Sequence, residues 1–122
     1  MRVRGATLTF TVTHSPRDGG GVCLRLAGEL DLSTSGELND TIDRLAAEGE
    51  RHLLLDLSAL TFCDSTGIAA FVRGDNRASA AGGWLRLTGA RGRVDRVLQV
   101  TGLADVLRYV PDAVDPTVSP RA

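Results

Sequence analysis

The segment 52–72, HLLLDLSALTFCDSTGIAAFV, constrains the fold more than any other part of the chain. Leu53, Leu54, Leu55 and Leu57, interrupted only by Asp56, form an apolar run too short for an independent helix and suited to a strand buried on both faces. The run breaks at Cys63-Asp64-Ser65-Thr66-Gly67, and Ile68, Phe71 and Val72 then resume with helical spacing as a buried face. Asp64, Ser65 and Thr66 carry short oxygen-bearing side chains of the kind that cap the free amides of a helix's first turn. A strand feeding a capped helix belongs to an α/β architecture. In such open sheets the end of the strand that carries the hydroxyl pair is where ligands and partners are met.

The remaining chain agrees. Leu8, Phe10 and Val12 alternate with threonines as a half-buried strand, the turn formers Ser15 to Gly21 follow, and Val22, Leu24 and Leu26 resume the alternation, which predicts a β-hairpin. Gly28-Glu29-Leu30-Asp31-Leu32 ends the second strand. Thr34, three residues before Glu37, fits a capping box for a helix with Leu38, Ile42, Leu45 and Ala46 on one face and Gly49 as its stop. Gly82-Gly83 closes the helix after Ser65. Trp84, Leu85 and Leu87 then make a fourth strand, and Val94, Val97, Leu98 and Thr101 a third helix ending at Gly102. Val106 to Val110 fits a last strand or a helical turn. Strand-helix-strand crossovers require parallel neighbours, so the expected fold is α/β with a mixed sheet of four to five strands, an N-terminal antiparallel hairpin plus parallel strands covered by helices. One domain over 1–122 is expected, with a core over about 7–110; three of the four prolines fall at or after Pro111, making 111–122 an irregular tail or short helix.

Composition excludes several functions. All fourteen basic residues are arginine, so chemistry needing a P-loop lysine, a Schiff base or a Ser-Lys dyad has no ammonium to use. A net charge of −1 with mixed signs offers no basic surface for nucleic acid. Cys23 and Cys63 lack metal-ligand spacing and read as buried thiols. No run reaches membrane-spanning length and no signal-peptide pattern is present, so a cytoplasmic protein without a membrane partner is expected.

Ser65 can be read as a nucleophile, a phosphoryl acceptor or a helix cap. A nucleophile needs a base within hydrogen-bond reach. His14 lies in the hairpin, and His52 begins the strand whose far end carries Ser65, roughly 30 Å away when extended. Neither serves, and no Gly-x-Ser-x-Gly elbow surrounds the serine; no catalytic residue is expected. Asp31 and Asp64 both follow strands and are expected near one another, as a solvated capping pair rather than metal ligands, with neither metal nor cofactor. Gly89-Ala90-Arg91-Gly92-Arg93 matches no phosphate-binding fingerprint and reads as a strand-to-helix turn.

Taken together, Gly28-Glu29-Leu30-Asp31, the run Leu53 to Leu57, Phe62-Cys63-Asp64-Ser65-Thr66-Gly67, Ala81-Gly82-Gly83 and Thr101-Gly102-Leu103 resemble the STAS domain, and more narrowly the stand-alone bacterial anti-sigma factor antagonists. The resemblance runs from about Thr7 to Val110. It implies a single STAS-like domain whose mixed sheet is covered mainly on one face by helices. It also implies a non-enzymatic function: the unphosphorylated domain binds an anti-sigma factor that is also a serine kinase and so releases a sigma factor, and a serine phosphatase reverses the modification. The family's phosphoacceptor falls on Ser65, with Thr66 the poorer candidate, and the partner-binding positions on Asp31, Asp64, Ser65, Thr66 and Gly67. The alternatives are a nucleotide- or small-ligand-binding STAS module, or a structural STAS subunit of a sensory complex.

Overall fold

A computed structural model describes residues 9–109. Four strands, β1 (Phe10–Pro16), β2 (Val22–Leu30), β3 (His52–Cys63) and β4 (Trp84–Thr88), form one sheet in the order β1-β2-β3-β4. The β1-β2 hairpin is antiparallel, and both β2-β3 and β3-β4 are parallel. The parallel pairs are joined through α1 (Ser35–Ala47) and α2 (Ser65–Ala80), and α3 (Gly92–Val100) and α4 (Leu103–Leu107) follow β4. The predicted mixed sheet is therefore found, with four strands. Val106 lies in the short helix α4, after which Arg108 makes a single parallel bridge to Leu87. Val110 and the predicted tail, like Leu8 and the residues before it, lie outside the described residues.

The sheet buries one face. Leu53, Leu55 and Leu57 of β3 are fully buried, as are Leu24 and Leu26 of β2 and Leu85 of β4, and they share a core with Leu38, Ile42 and Leu45 of α1, Phe71 of α2 and Leu98 of α3. Each such side chain contributes about 1.5–3 kcal/mol by leaving water. Between them, Leu54 and Asp56 stay half-buried on the opposite face, so the strand alternates. The expectation of burial on both faces fails because the helices cover a single side. β1 runs on through Ser15 and Pro16, which the sequence assigned to the turn, because Ser15 and Pro16 still pair with Cys23 and Val22.

Two glycines set how closely α2 is seated. A Cβ on Gly74 would lie 2.6 Å from Leu85 Cδ1 and 3.1 Å from Ile42 Cδ1; one on Gly67 would lie 2.7 Å from Cys63 Sγ and 2.9 Å from Leu30. The helical preference lost at Gly74, about 1 kcal/mol, is thus exchanged for close packing of α2 on β4 and α1. Val72 is exposed rather than buried, because it falls on the stripe of Ser65 and Ala69 and not on that of Gly67, Phe71, Gly74 and Ala78.

At the end of the sheet remote from Ser65, the Arg17 guanidinium lies 5.4 Å from the Trp84 ring and 5.5 Å from the Tyr109 ring and donates to the Tyr109 hydroxyl at 3.2 Å. This ties the hairpin tip to the segment after α4. Along the outer edge of β4, the Leu85 amide donates to Asp75 Oδ1 at 3.0 Å and the Leu87 carbonyl accepts from the Tyr109 amide at 2.8 Å.

Candidate functional site

Ser65 stands where β3 hands over to α2. Asp64 is the N-cap residue: its backbone is extended (φ −105°, ψ −168°) and its Oδ1 accepts from the Thr66 amide at 2.9 Å and the Gly67 amide at 3.3 Å. The Thr66 hydroxyl donates to the same oxygen at 2.6 Å. That hydroxyl bond foremost, with the amides of Gly67, Thr66 and Leu32, holds the Asp64 carboxyl below the usual carboxylate range against a smaller opposing effect of desolvation. Thr66 is half-buried and its proton is committed. Ser65 is exposed in the first helical position, and its hydroxyl has no hydrogen-bond partner among the described residues. The two hydroxyls that sequence placed side by side are therefore chemically distinct.

Asp31 is brought to the same rim. Leu30 pairs with Cys63 at the ends of the neighbouring parallel strands, and the Asp64 amide donates to the Leu30 carbonyl at 3.2 Å. A bulge in β2 aims this turn: Gly28 has φ +99°, the β2-β3 register shifts between Gly28 and Glu29, and a side chain at Gly28 would overlap the Thr9 carbonyl. The Asp31 carboxylate accepts from the Ser33 amide at 3.0 Å and the Ser33 hydroxyl at 2.8 Å. Each aspartate spends its Oδ1 on a local turn, and no group of three or more potential metal ligands occurs among the described residues.

The capping box expected at Thr34 does not form. Thr34 is the N-cap residue of α1, yet its side chain makes no cap bond; its hydroxyl instead accepts from the Asp31 amide at 2.9 Å and donates to the Glu29 carbonyl at 2.9 Å. The turn captures the hydroxyl before the helix can.

Gly67 sits at the site by packing: its missing side chain lets α2 rest on Cys63 and Leu30. Cys63 beneath it is buried, and desolvation foremost, with the neighbouring Asp64 charge, pushes its thiol up to about 12, so it stays protonated and unreactive. Two surface clefts, of about 190 Å³ beside Thr88, Asp95 and Arg108 and about 300 Å³ beside Ile42, Arg51 and Arg77, are lined by none of Asp31, Asp64, Ser65, Thr66 and Gly67. No helix among the described residues is long and apolar enough to cross a membrane. Sequence reasoning missed Leu32, which is 79% exposed on the turn between Asp31 and Ser33; its position one residue past a strand-ending aspartate was the available signal.

Comparison with known proteins gives this geometry a lineage. A family model described as Mlab, STAS domain, matches residues 13–109. The chain is 29% identical over 84 residues to the anti-sigma-B factor antagonist of Staphylococcus aureus strain NCTC 8325 / PS 47, covering 69% of this chain and 78% of that protein. Among solved structures, an anti-sigma factor antagonist from Mycobacterium paratuberculosis superposes with a TM-score of 0.72 at 26% identity, covering 88% of this chain and 91% of the other. The Bacillus cell fate determinant SpoIIAA in its phosphorylated form shares the fold, with a TM-score of 0.63, 23% identity and coverage of 82% and 88%. With nearly all of the described residues matched by one family model and the strand order, crossovers and capped α2 in place, the chain belongs to the STAS domain family.

Proposed function

We infer that this domain is an anti-sigma factor antagonist that works by partner switching, with Ser65 as its phosphorylated residue. The observation that carries the reading is the contrast at the head of α2: the Ser65 hydroxyl is exposed and without a partner, whereas the Thr66 proton is given to Asp64 at 2.6 Å. Of these two neighbouring hydroxyls, a serine kinase approaching this rim meets that of Ser65 uncommitted. The relatives from Staphylococcus aureus and Mycobacterium paratuberculosis are anti-sigma factor antagonists, and the Bacillus protein of the same fold exists in a phosphorylated form; both facts support the reading.

The chemistry is that of a substrate and binding surface, not of a catalyst. In the neutral state Ser65, Asp64, Thr66, Gly67 and the Asp31 turn present a rigid, hydrogen-bonded rim to the anti-sigma factor, whose capture releases a sigma factor in the cytoplasm. Transfer of a phosphoryl group from ATP to Ser65 Oγ, with ADP leaving, adds about −1.5 to −2 charges at neutral pH. The positive dipole end of α2 accommodates that charge without unfolding the domain. A partner surface fitted to a neutral hydroxyl then has to desolvate a dianion beside the Asp64 carboxylate, and binding weakens. Hydrolysis by a serine phosphatase restores the first state.

The test is incubation of the purified domain with ATP and the anti-sigma kinases encoded in the same genome, followed by mapping of the modified residue. Phosphate at Ser65, absent from Ser65→Ala, is expected. Modification of Ser65→Ala to the wild-type extent would reject the site. Binding is compared for wild type, Ser65→Ala and the phosphorylated protein; equal affinity of all three would reject the switch.

A further inference from the structure

The rim carries a feature that neither hydroxyl accounts for. Leu32 exposes 79% of its surface, although burying a leucine is worth about 1.5–3 kcal/mol. It is not exposed through looseness. The Asp31 carbonyl accepts from the amides of Thr34 at 3.1 Å and Ser35 at 2.8 Å, and the Thr34 hydroxyl closes the turn onto Glu29. A preorganised turn thus holds an apolar side chain in water next to Ser65. On α2 the same side continues at helical spacing, because Ser65, Ala69 and Val72 follow one another at four and three residues and all are exposed.

The charge around this strip has one sign. The two segments that build the rim, 28–40 and 60–72, hold Glu29, Asp31, Glu37, Asp40 and Asp64 and no basic residue. None of these five carboxylates is in a salt bridge among the described residues, whereas Asp43, one turn further along α1, pairs with Arg73 and Arg77. An apolar centre with a charged rim is the usual anatomy of a protein-protein contact.

We propose that Leu32 is the apolar anchor of the partner-binding surface, and that the partner offers a cleft for this side chain inside a basic surround. The proposal rests on the reading that the Ser65 rim binds an anti-sigma factor, and it divides the labour of binding. The acidic rim steers the encounter and so governs the association rate, while the seated leucine holds the complex and governs the dissociation rate.

The experiment is stopped-flow or surface-plasmon kinetics of the unphosphorylated protein against the anti-sigma factor purified from the same genome, at several salt concentrations. Leu32→Ser is expected to raise the dissociation rate by about tenfold or more with the association rate within about twofold. Val106→Ser, at another exposed apolar position, on α4, serves as the control and is expected to match wild type. The double variant Glu29→Gln/Glu37→Gln is expected to slow association and flatten its salt dependence, leaving dissociation unchanged. Wild-type dissociation from Leu32→Ser overturns the anchor, and an unchanged salt dependence in the double variant overturns the basic partner. Failure of the wild-type protein to bind any of these anti-sigma factors sinks the reading beneath both.

Discussion

The heads of α1 and α2 are built from nearly the same letters, Asp31-Leu32-Ser33-Thr34-Ser35-Gly36 and Asp64-Ser65-Thr66-Gly67, each following a strand of one parallel pair. They do different things. In the second, the aspartate is the cap itself, so the next residue is already the first of the helix and its hydroxyl points to solvent. In the first, three residues separate the aspartate from the helix, and the hydroxyls of Ser33 and Thr34 are folded back onto Asp31 and Glu29. The spacing between aspartate and helix start thus decides whether a neighbouring serine is consumed by the turn or left exposed to solvent.

The widest separation between the two heads is expected in phosphorylation. Ser65→Ala should reduce kinase-dependent phosphate incorporation by at least about a hundredfold, a loss of one reacting group of more than 2.7 kcal/mol in transition-state terms, whereas Ser33→Ala should leave it at the wild-type level; mass spectrometry of both proteins decides. Next in size is the contrast of first-turn glycines. Gly67→Ala, whose methyl would meet Cys63 and Leu30, should destabilise the domain by about 1–3 kcal/mol in urea unfolding.

Asp64→Ala should cost about 1 kcal/mol through loss of the cap, and the cost should depend on pH. The Asp64 carboxyl is held below its ordinary value in the folded state, so its contribution is present above the unfolded carboxylate pKa of about 3.9 and fades as pH falls through the lower folded value. Unfolding curves of wild type and Asp64→Ala should therefore converge below about pH 4. Asp43, also depressed chiefly by its bond from Arg73, is common to both proteins and cancels in the difference. A gap independent of pH would remove the charge from the account of the cap. The smallest effect has the opposite sign: nothing lies within 4 Å of a Cβ on Gly36, so Gly36→Ala should stabilise by about 0.5–1 kcal/mol, read as a higher melting temperature.

Local patterns carried much of the fold. Alternation located the hairpin, the glycine stops at Gly49 and Gly102 ended their helices with φ +91° and +83°, and the break at Asp64 marked the head of α2. Features that depend on a neighbour were not legible. Leu53 to Leu57 reads as doubly buried because sequence does not say how many faces helices cover. Thr34 reads as a capping-box residue because the competing Glu29 carbonyl becomes available only when β2 bulges at Gly28. Val72 was legible in principle: three residues after Ala69 and seven after Ser65, it shares the stripe of a residue already placed in solvent. At the site, sequence brought Asp31, Asp64, Ser65, Thr66 and Gly67 to one rim, but the ownership of the Thr66 proton and the outward pose of Leu32 needed coordinates.

The closed outer edge of β4 bears on how this domain meets other proteins. Because Asp75 occupies the Leu85 amide and Tyr109 the Leu87 carbonyl, a foreign strand would have to break two backbone contacts before it could extend the sheet on that side. Recruitment by strand addition, and the end-to-end polymerisation that accompanies it, are blocked there at the level of the main chain. On that side association is left to side-chain surfaces.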